Sequence, residues 1–481
     1  MIAASQPLTV RFGRLPRRGL ILGLSTPRVV CVAGAAGTVI PALTWMGIVG
    51  ALMSAPLWLS FVALAFAPWN GGAAVETLPT AGHFLARRVR GQTRFLARPD
   101  APRPAGTLAL PGDACALRFH IDGPSGAAMV HDPHEQTLTA VALIQHPAYV
   151  LLSPEEQGRR VHGWSRSLAT LANGSTARIQ VLESSLPDSG RTITDWWQTR
   201  GSEDNHQWAV HQYQQLMRRC APSAATHRTL IAIAIDLKAA APAIRRSGRG
   251  ITGAAAVLSR EMDALGSTLI GAELRLVHWL DETQLARTLL GAYDPGIDQR
   301  PTGPLHSSLS AAGPMAIHEE WHRLRHDTGY SCVLWIREWP RVEVPSHFLH
   351  SLVFQPGVRR TLSITATPVP VSKAIRDIRR AKVEHATDAM QRARIGAITD
   401  LADAAELNDV LDRERALVAG HAELRFTGMV TITATTADDL EAAVAAVERA
   451  AIQCGCETRR LLGQQAQAFT AAALPLARRV S

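Results

Sequence analysis

Charge is missing from one long stretch of this sequence: no Asp, Glu, Lys or Arg lies between Arg28 and Glu76, a run of 47 positions. One helix needs about 20 residues to cross the hydrocarbon layer of a bilayer, so the run is long enough for two crossings. Acidic residues are almost absent from the first 98 positions, which hold ten Arg and one Glu. That imbalance equals the net charge of the whole chain, +9, so the remainder is neutral. Basic residues flanking apolar spans are what insertion orientation and anionic lipid select, and a membrane accounts for the basicity better than nucleic acid does.

A Gly-Lys pair is also lacking, and with it the P-loop, whose backbone amides and Lys cradle phosphates; a Walker-type ATPase is excluded. No G-x-S-x-G elbow marks a hydrolase nucleophile. The six Cys, at 31, 115, 220, 332, 454 and 456, follow no pairing rhythm, which excludes a disulfide framework. Cys454-Gly455-Cys456 lacks the two-residue spacer of redox and zinc knuckles and reads as two small half-buried side chains at the start of a strand.

What is present is a chain of 481 residues, 47% hydrophobic, enough for a membrane anchor and two or three ordinary domains. The sequence predicts a basic cytoplasmic leader over 1–28 and a transmembrane hairpin over 29–68, with spans near Val29–Trp45 and Leu52–Ala67 and a turn at Gly47 to Gly50. A basic juxtamembrane arm and Pro-rich linker follow over 69–111. Arg-rich flanks on both sides place both termini in the cytoplasm, so the chain reads as a multi-pass protein of the inner (cytoplasmic) membrane. A cleavable signal would have a single short apolar core, which this run exceeds.

Two α+β units are expected beyond the linker, 112–300 and 314–481, separated by a stretch rich in Pro, Gly and Ser. Strands are predicted at Met129-Val130, Thr137–Ile144 and Ala148–Leu152, then a helix begun by Ser153-Pro154-Glu155-Glu156 and ended at Asn173-Gly174. Arg178–Glu183, Thr229–Asp236 and Glu273–Leu280 are strands, with helices at Ser202–Arg219 and Gly253–Ala272 and a helix capped by Asp281. In the second unit, strands Cys332–Trp339 and Arg360–Val369 precede a charged helical arm from Ser372 to about Ala419, broken around Gly396 to Asp400. Strand Glu423–Thr435, helix Ala437–Ile452 and strand Cys456–Leu462 end the chain. The fold class is therefore α+β, with layered β-α-β, ferredoxin-like cytoplasmic domains behind the hairpin.

His318-Glu319-Glu320-Trp321-His322 matches H-E-x-x-H, the helix turn that gives zinc two imidazoles and a general base. The third ligand is not in place: Arg325 stands where the metzincin continuation has Gly, and Glu338 and Glu343 lie on or beside a predicted strand. The segment reads as a short surface helix. Gly248, Gly250 and Gly253 punctuate a helix start without a phosphate fingerprint, and Trp196-Trp197 and Trp335 to Trp339 read as core positions. No residue is assigned as catalytic, cofactor-binding or metal-ligating, and no cofactor is expected.

Several stretches resemble an actinobacterial integral-membrane family encoded with conjugative, type IV-like secretion machinery. They are Arg11-Phe12-Gly13 with Arg18-Gly19-Leu20, Val130-His131-Asp132 with Thr137-Leu138-Thr139-Ala140-Val141, and Leu152-Ser153-Pro154-Glu155-Glu156-Gln157. Further on come Glu338-Trp339-Pro340-Arg341-Val342, Gly420-His421-Ala422-Glu423 with Arg425-Phe426, and Arg460-Leu461-Leu462-Gly463-Gln464-Gln465 with Ala468-Phe469 and Leu474-Pro475-Leu476. Such proteins look like a two-helix secretion membrane subunit fused to the N-terminal, non-catalytic domain of the conjugative-transfer ATPase. The resemblance implies a non-enzymatic membrane platform, in a homo- or hetero-oligomer, that docks the separate ATPase and channel subunits during DNA or protein transfer. Two readings compete: the E component of type VII secretion, which has a similar plan, and a membrane-tethered zinc peptidase built on His318 and His322.

Overall fold

The computed structural model describes residues 9–12, 25–69, 72–98, 100, 104–146, 149–172, 174–187, 191–201, 207–220, 225–296, 308–395 and 401–480. Strand β1 (Thr9–Val10) comes first, then the apolar helices α1 (Thr26–Met53) and α2 (Ala55–Phe66). By length and composition α1 suffices to cross a membrane, and a signal sequence has the same character; α2, at 12 residues, is too short alone. Gly47 interrupts α1 at φ 63°, ψ −151°, a conformation only glycine adopts without strain, and it falls where the sequence predicts the turn. Phe61 of α2 lies against Gly34 of α1, its ring 3.4 Å from where a Cβ would sit.

The short strands β2 (Pro68–Trp69) and β3 (Gly72–Ala73) lead to helix α3 (Ala74–Val89) and strand β4 (Arg94–Leu96). The first half of the body then runs β5 (Arg118–Ile121), β6 (Ala128–Asp132), β7 (Thr137–Gln145), α4 (Pro154–Ala172) and β8 (Thr176–Pro187). It continues through α5 (Arg191–Arg200), α6 (Trp208–Cys220), β9 (Ala225–Asp236), α7 (Ala241–Arg246), α8 (Gly250–Gly271), β10 (Arg275–Trp279) and α9 (Glu282–Tyr293). The second half runs β11 (Ala316–Glu319), β12 (Leu324–His326), β13 (Gly329–Glu338), β14 (Val344–Pro345), α10 (His350–Val353) and β15 (Arg359–Val369). It ends with α11 (Val371–Ile395), α12 (Leu401–Val418), β16 (Glu423–Ala434), α13 (Ala437–Gln453), β17 (Glu457–Arg460) and α14 (Gln465–Ala472).

Thirteen strands form one antiparallel sheet in the order β4-β11-β12-β13-β16-β15-β8-β9-β7-β6-β5, with β10 added to β7 and β17 to β13. The protein is thus α+β. The same plan occurs twice. In the first half β7-α4-β8-β9-α8-β10 gives the spatial order β10-β7-β9-β8, and in the second half β13-α10-β15-β16-α13-β17 gives β17-β13-β16-β15. The innermost strands of the two halves, β8 and β15, pair antiparallel from Arg360 opposite Ser185 to Ala366 opposite Ile179. A pair of helices is inserted at the same point of each half, α5–α6 between β8 and β9 and α11–α12 between β15 and β16.

Each face of the sheet is buried. Met129, Ile231, Ile233 and Leu138 meet α4 and α8 through Leu171, Leu258, Leu265 and Leu269. In the second half Leu334, Val430 and Ile432 meet α13 through Leu440, Val444 and Val447. The opposite face is filled by Leu285, Leu289 and Tyr293 of α9 and by α14 with the tail behind it, Phe469, Leu474 and Leu476. The tail is held by the first half: Arg178 Nη1 donates to the Ala477 carbonyl at 2.7 Å, the Ala477 amide donates to Gln180 Oε1 at 2.7 Å, and Arg478 Nε reaches Asp132 at 2.8 Å. Residues 420–481 are therefore not a separable unit, since β16 sits near the middle of the sheet and α14 completes the core shared by both halves.

Local signals place most elements. Asp281 accepts from the Gln284 amide and Gln284 returns a bond to the Asp281 amide, the reciprocal box that starts α9. Ser153 and Glu156 bond each other ahead of α4. Of the expected strand at Ala148–Leu152, Ala148 lies outside the described residues and Tyr149–Leu151 forms a single 3-10 turn, while β10 takes the neighbouring edge of β7. Residues 396–400, the expected break in the helical arm, lie outside the described residues.

Candidate functional site

The apolar segment is joined to the body on both flanks. On the C-terminal side α3 buries Phe84, whose ring meets Trp321 edge-on with centroids 5.2 Å apart. Three residues further along α3, Arg87 pairs with Glu319, whose other oxygen accepts the Ala466 amide in the first turn of α14 at 3.0 Å. Glu319 is buried, so one carboxylate fastens α3 and starts α14 together. The Gly463 amide donates to the Trp321 carbonyl at 2.7 Å, and Gly463 has φ 70° with the Trp321 ring lying where a Cβ would sit.

On the N-terminal side, Ser25 Oγ donates to Glu76 at 2.7 Å and Arg28 Nε reaches the same oxygen at 3.1 Å, closing the base of the apolar segment. Upstream, Thr9 and Val10 pair with Pro345 and Val344 of β14. Phe12 then enters a ring cluster, 5.2 Å from Trp339, 5.3 Å from Phe348 and 6.1 Å from Phe426. Arg11 reaches Asp409 of α12 at 3.0 Å.

The sequence expectation of a surface helix over His318–His322 is corrected. These residues form the hairpin of β11 and β12, with Ile317 opposite His326, His318 opposite Arg325 and Glu319 opposite Leu324. Ladder pairing with β4 on one side and β13 on the other decides the conformation, and Ile317, Glu319, Leu324 and His326 face inward with strand alternation. In this geometry His318 and His322 do not stack one helical turn apart, the arrangement that H-E-x-x-H zinc chemistry requires. His322 instead lies 4.0 Å from Glu441. The two further acids considered as ligands are also placed elsewhere: Glu338 pairs with Arg341, and Glu343 accepts from Thr9 at 3.2 Å. Among the described residues no three His, Cys, Asp or Glu side chains are grouped to hold a metal ion.

Cys454 and Cys456 are buried at the end of α13 and the start of β17, and burial pushes the Cys456 thiol up to about 12 and Cys454 upward as well. Trp335 packs at the edge of the shared core and Trp339 holds Phe12, whereas Trp196, expected in the core, is exposed, and Trp197 meets Tyr213 with tilted rings 5.0 Å apart. Helix α8 begins at Gly250, as the glycine punctuation predicts.

The chain matches no family model and no curated protein. The joints above are defined by this chain's own contacts. Sequence reasoning missed Arg87, Glu319 and Phe12 as a set because their partners lie hundreds of positions away. The one local signal was a lone aromatic, Phe12, in an otherwise basic leader.

The hairpin carries a pH response. His326 is buried, accepts or donates with Ser331 Oγ at 2.7 Å and contacts the Tyr293 carbonyl, and burial lowers its pKa from 6.5 to about 4. The unfolded chain binds a proton between those values and the folded chain does not. Stability is therefore present above pH 6.5 and declines as pH falls toward 4, by up to about 1.4 kcal/mol per pH unit from this residue. Unfolding of the full chain in detergent, compared at pH 7 and pH 5, should show that decline, and His326→Gln should flatten it; equal slopes would remove His326 as the cause.

Proposed function

We propose that this chain is a membrane-anchored, non-catalytic platform whose cytoplasmic α+β body docks other subunits of a conjugative type IV-like secretion machine, the transfer ATPase first among them. The observation that carries the anchor is the attachment of both flanks to one body: Phe12 before the apolar segment and Arg87 after it hold the same second half. A segment whose two ends return to one side crosses a bilayer an even number of times. With the break at Gly47, Thr26–Met46 and the helical run from Ile48 through Ser54 to Phe66 each supply about 20 residues, the length of one crossing. The outward surfaces of these helices are apolar, with Trp45 90% and Ile48 74% exposed, and lipid is the solvent that covers them. A two-span, inner-membrane protein with both termini in the cytoplasm is the reading these features support. A phosphatase fused near Gly50 is expected to be active outside the membrane; inactivity there removes the topology.

The secretion assignment rests on the sequence resemblance. The order fourth-first-third-second in each β-α-β-β-α-β half supports reading the body as two ferredoxin-like units, as the predicted alternation of strands and helices implies. The docking face we infer is the second half with its α11–α12 arm, which exposes Val383 and Met390. Purification from native membranes in mild detergent should bring down the transfer ATPase, and Val383→Glu with Met390→Glu should abolish its recovery while the protein remains membrane-inserted. Recovery of type VII components instead would replace the assignment, and unchanged ATPase recovery from the double variant would move the docking face.

A further inference from the structure

A cleft of about 850 Å³ lies at the far edge of the first half, between the β5–β6 hairpin and helices α7 and α8. Its volume is that of a small-molecule site. The floor is apolar, built from Phe119 of β5, Ile244 of α7 and Ala254 of α8. The rim is cationic: Arg118 comes from β5, Arg245 from α7 and Arg249 from the residue just before α8, while burial holds the pKa of His131 of β6 below its ordinary value. No Asp or Glu is among the residues that line it.

Several guanidinium groups of the body are matched with carboxylates, Arg160 with Glu273, Arg413 with Glu423 and Arg460 with Glu441. Around this cleft Arg118, Arg245 and Arg249 make no side-chain hydrogen bond or ion pair with any described residue. Three like charges around one apolar concavity repel each other, and a multiply charged anion relieves that repulsion while the low-dielectric floor strengthens its attraction. Arg249 also adopts φ 62°, ψ 169°, a region costing a non-glycine residue about 1–3 kcal/mol, and the first turn of α8 opens on the cleft beside it.

We propose that this cleft binds a phosphate ester with an apolar or aromatic body, its phosphates held by Arg118, Arg245 and Arg249 and its body seated on Phe119 and Ile244. Arginine is suited to this because its planar fork bonds two phosphate oxygens at once, and it needs no P-loop. A free nucleotide and the headgroup region of an anionic lipid share the chemistry. The site is independent of the platform reading, since none of its residues belongs to the anchor joints or to the α11–α12 arm.

The test uses the full chain in detergent. A fluorescent adenosine triphosphate analogue is titrated directly, and radiolabelled short-chain phosphatidylglycerol below its micellar concentration is titrated in parallel, with inorganic pyrophosphate as competitor for each. Saturable binding of the first probe assigns a nucleotide and of the second a lipid headgroup; pyrophosphate displaces either. The R118Q/R245Q/R249Q protein is expected to bind on the order of tenfold more weakly or worse, while R376Q/R379Q/R380Q on α11 leaves binding unchanged. Ile244→Trp, which fills the floor and keeps every charge, should also weaken binding, and thermal unfolding of each variant confirms that it is folded. Absence of saturable binding by both probes overturns the proposal, as does a folded triple variant that binds like wild type.

Discussion

Replacing Glu319 with Ala is expected to lower stability by about 3–5 kcal/mol, the range for removing one partner of a buried ion pair. Only 1% of the Glu319 side chain and 14% of the Arg87 side chain are exposed, so solvent cannot take over the lost carboxylate. The cation of Arg87 is left in a desolvated setting, and the Ala466 amide loses its acceptor at the same time. Two elements should loosen together, the second half of α3 and the first turn of α14. Hydrogen exchange on the full chain would read both segments, with β9 at the centre of the first half as the unaffected reference. The pair Arg87→Met with Glu319→Leu removes both charges and is expected to recover much of the loss, because apolar replacements of a buried pair are often tolerated. A Glu319→Ala protein with wild-type melting and wild-type exchange in α3 would show that the pair does not hold α3 to the body.

Phe469→Ala should be comparably damaging, about 3–5 kcal/mol, as for other fully buried aromatics. Phe469 lies on α14 with its ring 4.8 Å from Tyr293 and 5.4 Å from His326, and it belongs to a cluster fed by both halves of the sheet. The cavity would open where the two halves share a core. Unfolding should therefore remain a single transition at lower temperature, because neither half keeps a complete core of its own on that face. Two separated transitions, with one at the wild-type temperature, would mean that the halves fold independently and that α14 is peripheral.

Most of the body was legible in the sequence where alternation and punctuation act locally. Strands such as β7 and β9 carry long runs of β-branched and apolar residues, and helices α4 and α9 announce themselves with Ser153 and Asp281. The apolar segment was plain because its lack of charge is a one-dimensional property. Other parts were hidden for physical reasons. The β11–β12 hairpin is polar, with His318, Glu319, Glu320, His322, Arg323 and Arg325 in succession, and only pairing with β4 and β13 makes it a strand pair. Helix α14 is short, and its buried residues include Gln465 and Thr470, so its pattern does not announce a core helix.

The joints were illegible for a different reason. Glu319 reads as one more surface acid beside Glu320, yet the two diverge completely: Glu320 pairs locally with Arg323, whereas Glu319 points inward to a residue 232 positions away. Burial of a carboxylate is decided by whether a cation and an amide arrive to meet it, and both arrive through tertiary structure. The same holds for Phe12, whose three ring partners are spread from Trp339 to Phe426.

The double attachment of the apolar segment has a mechanical meaning. A body hung from one flexible linker swivels freely and transmits no torque to what surrounds it. Here α3 holds the base of α1 through Glu76, which takes Ser25 and Arg28, and holds the second half through Arg87 and Glu319, so twisting that half turns the base of α1 with it. The segment then acts as a keyed shaft and not as a tether, and a load placed on the Arg87–Glu319 contact is felt through α3 at the first residues of α1.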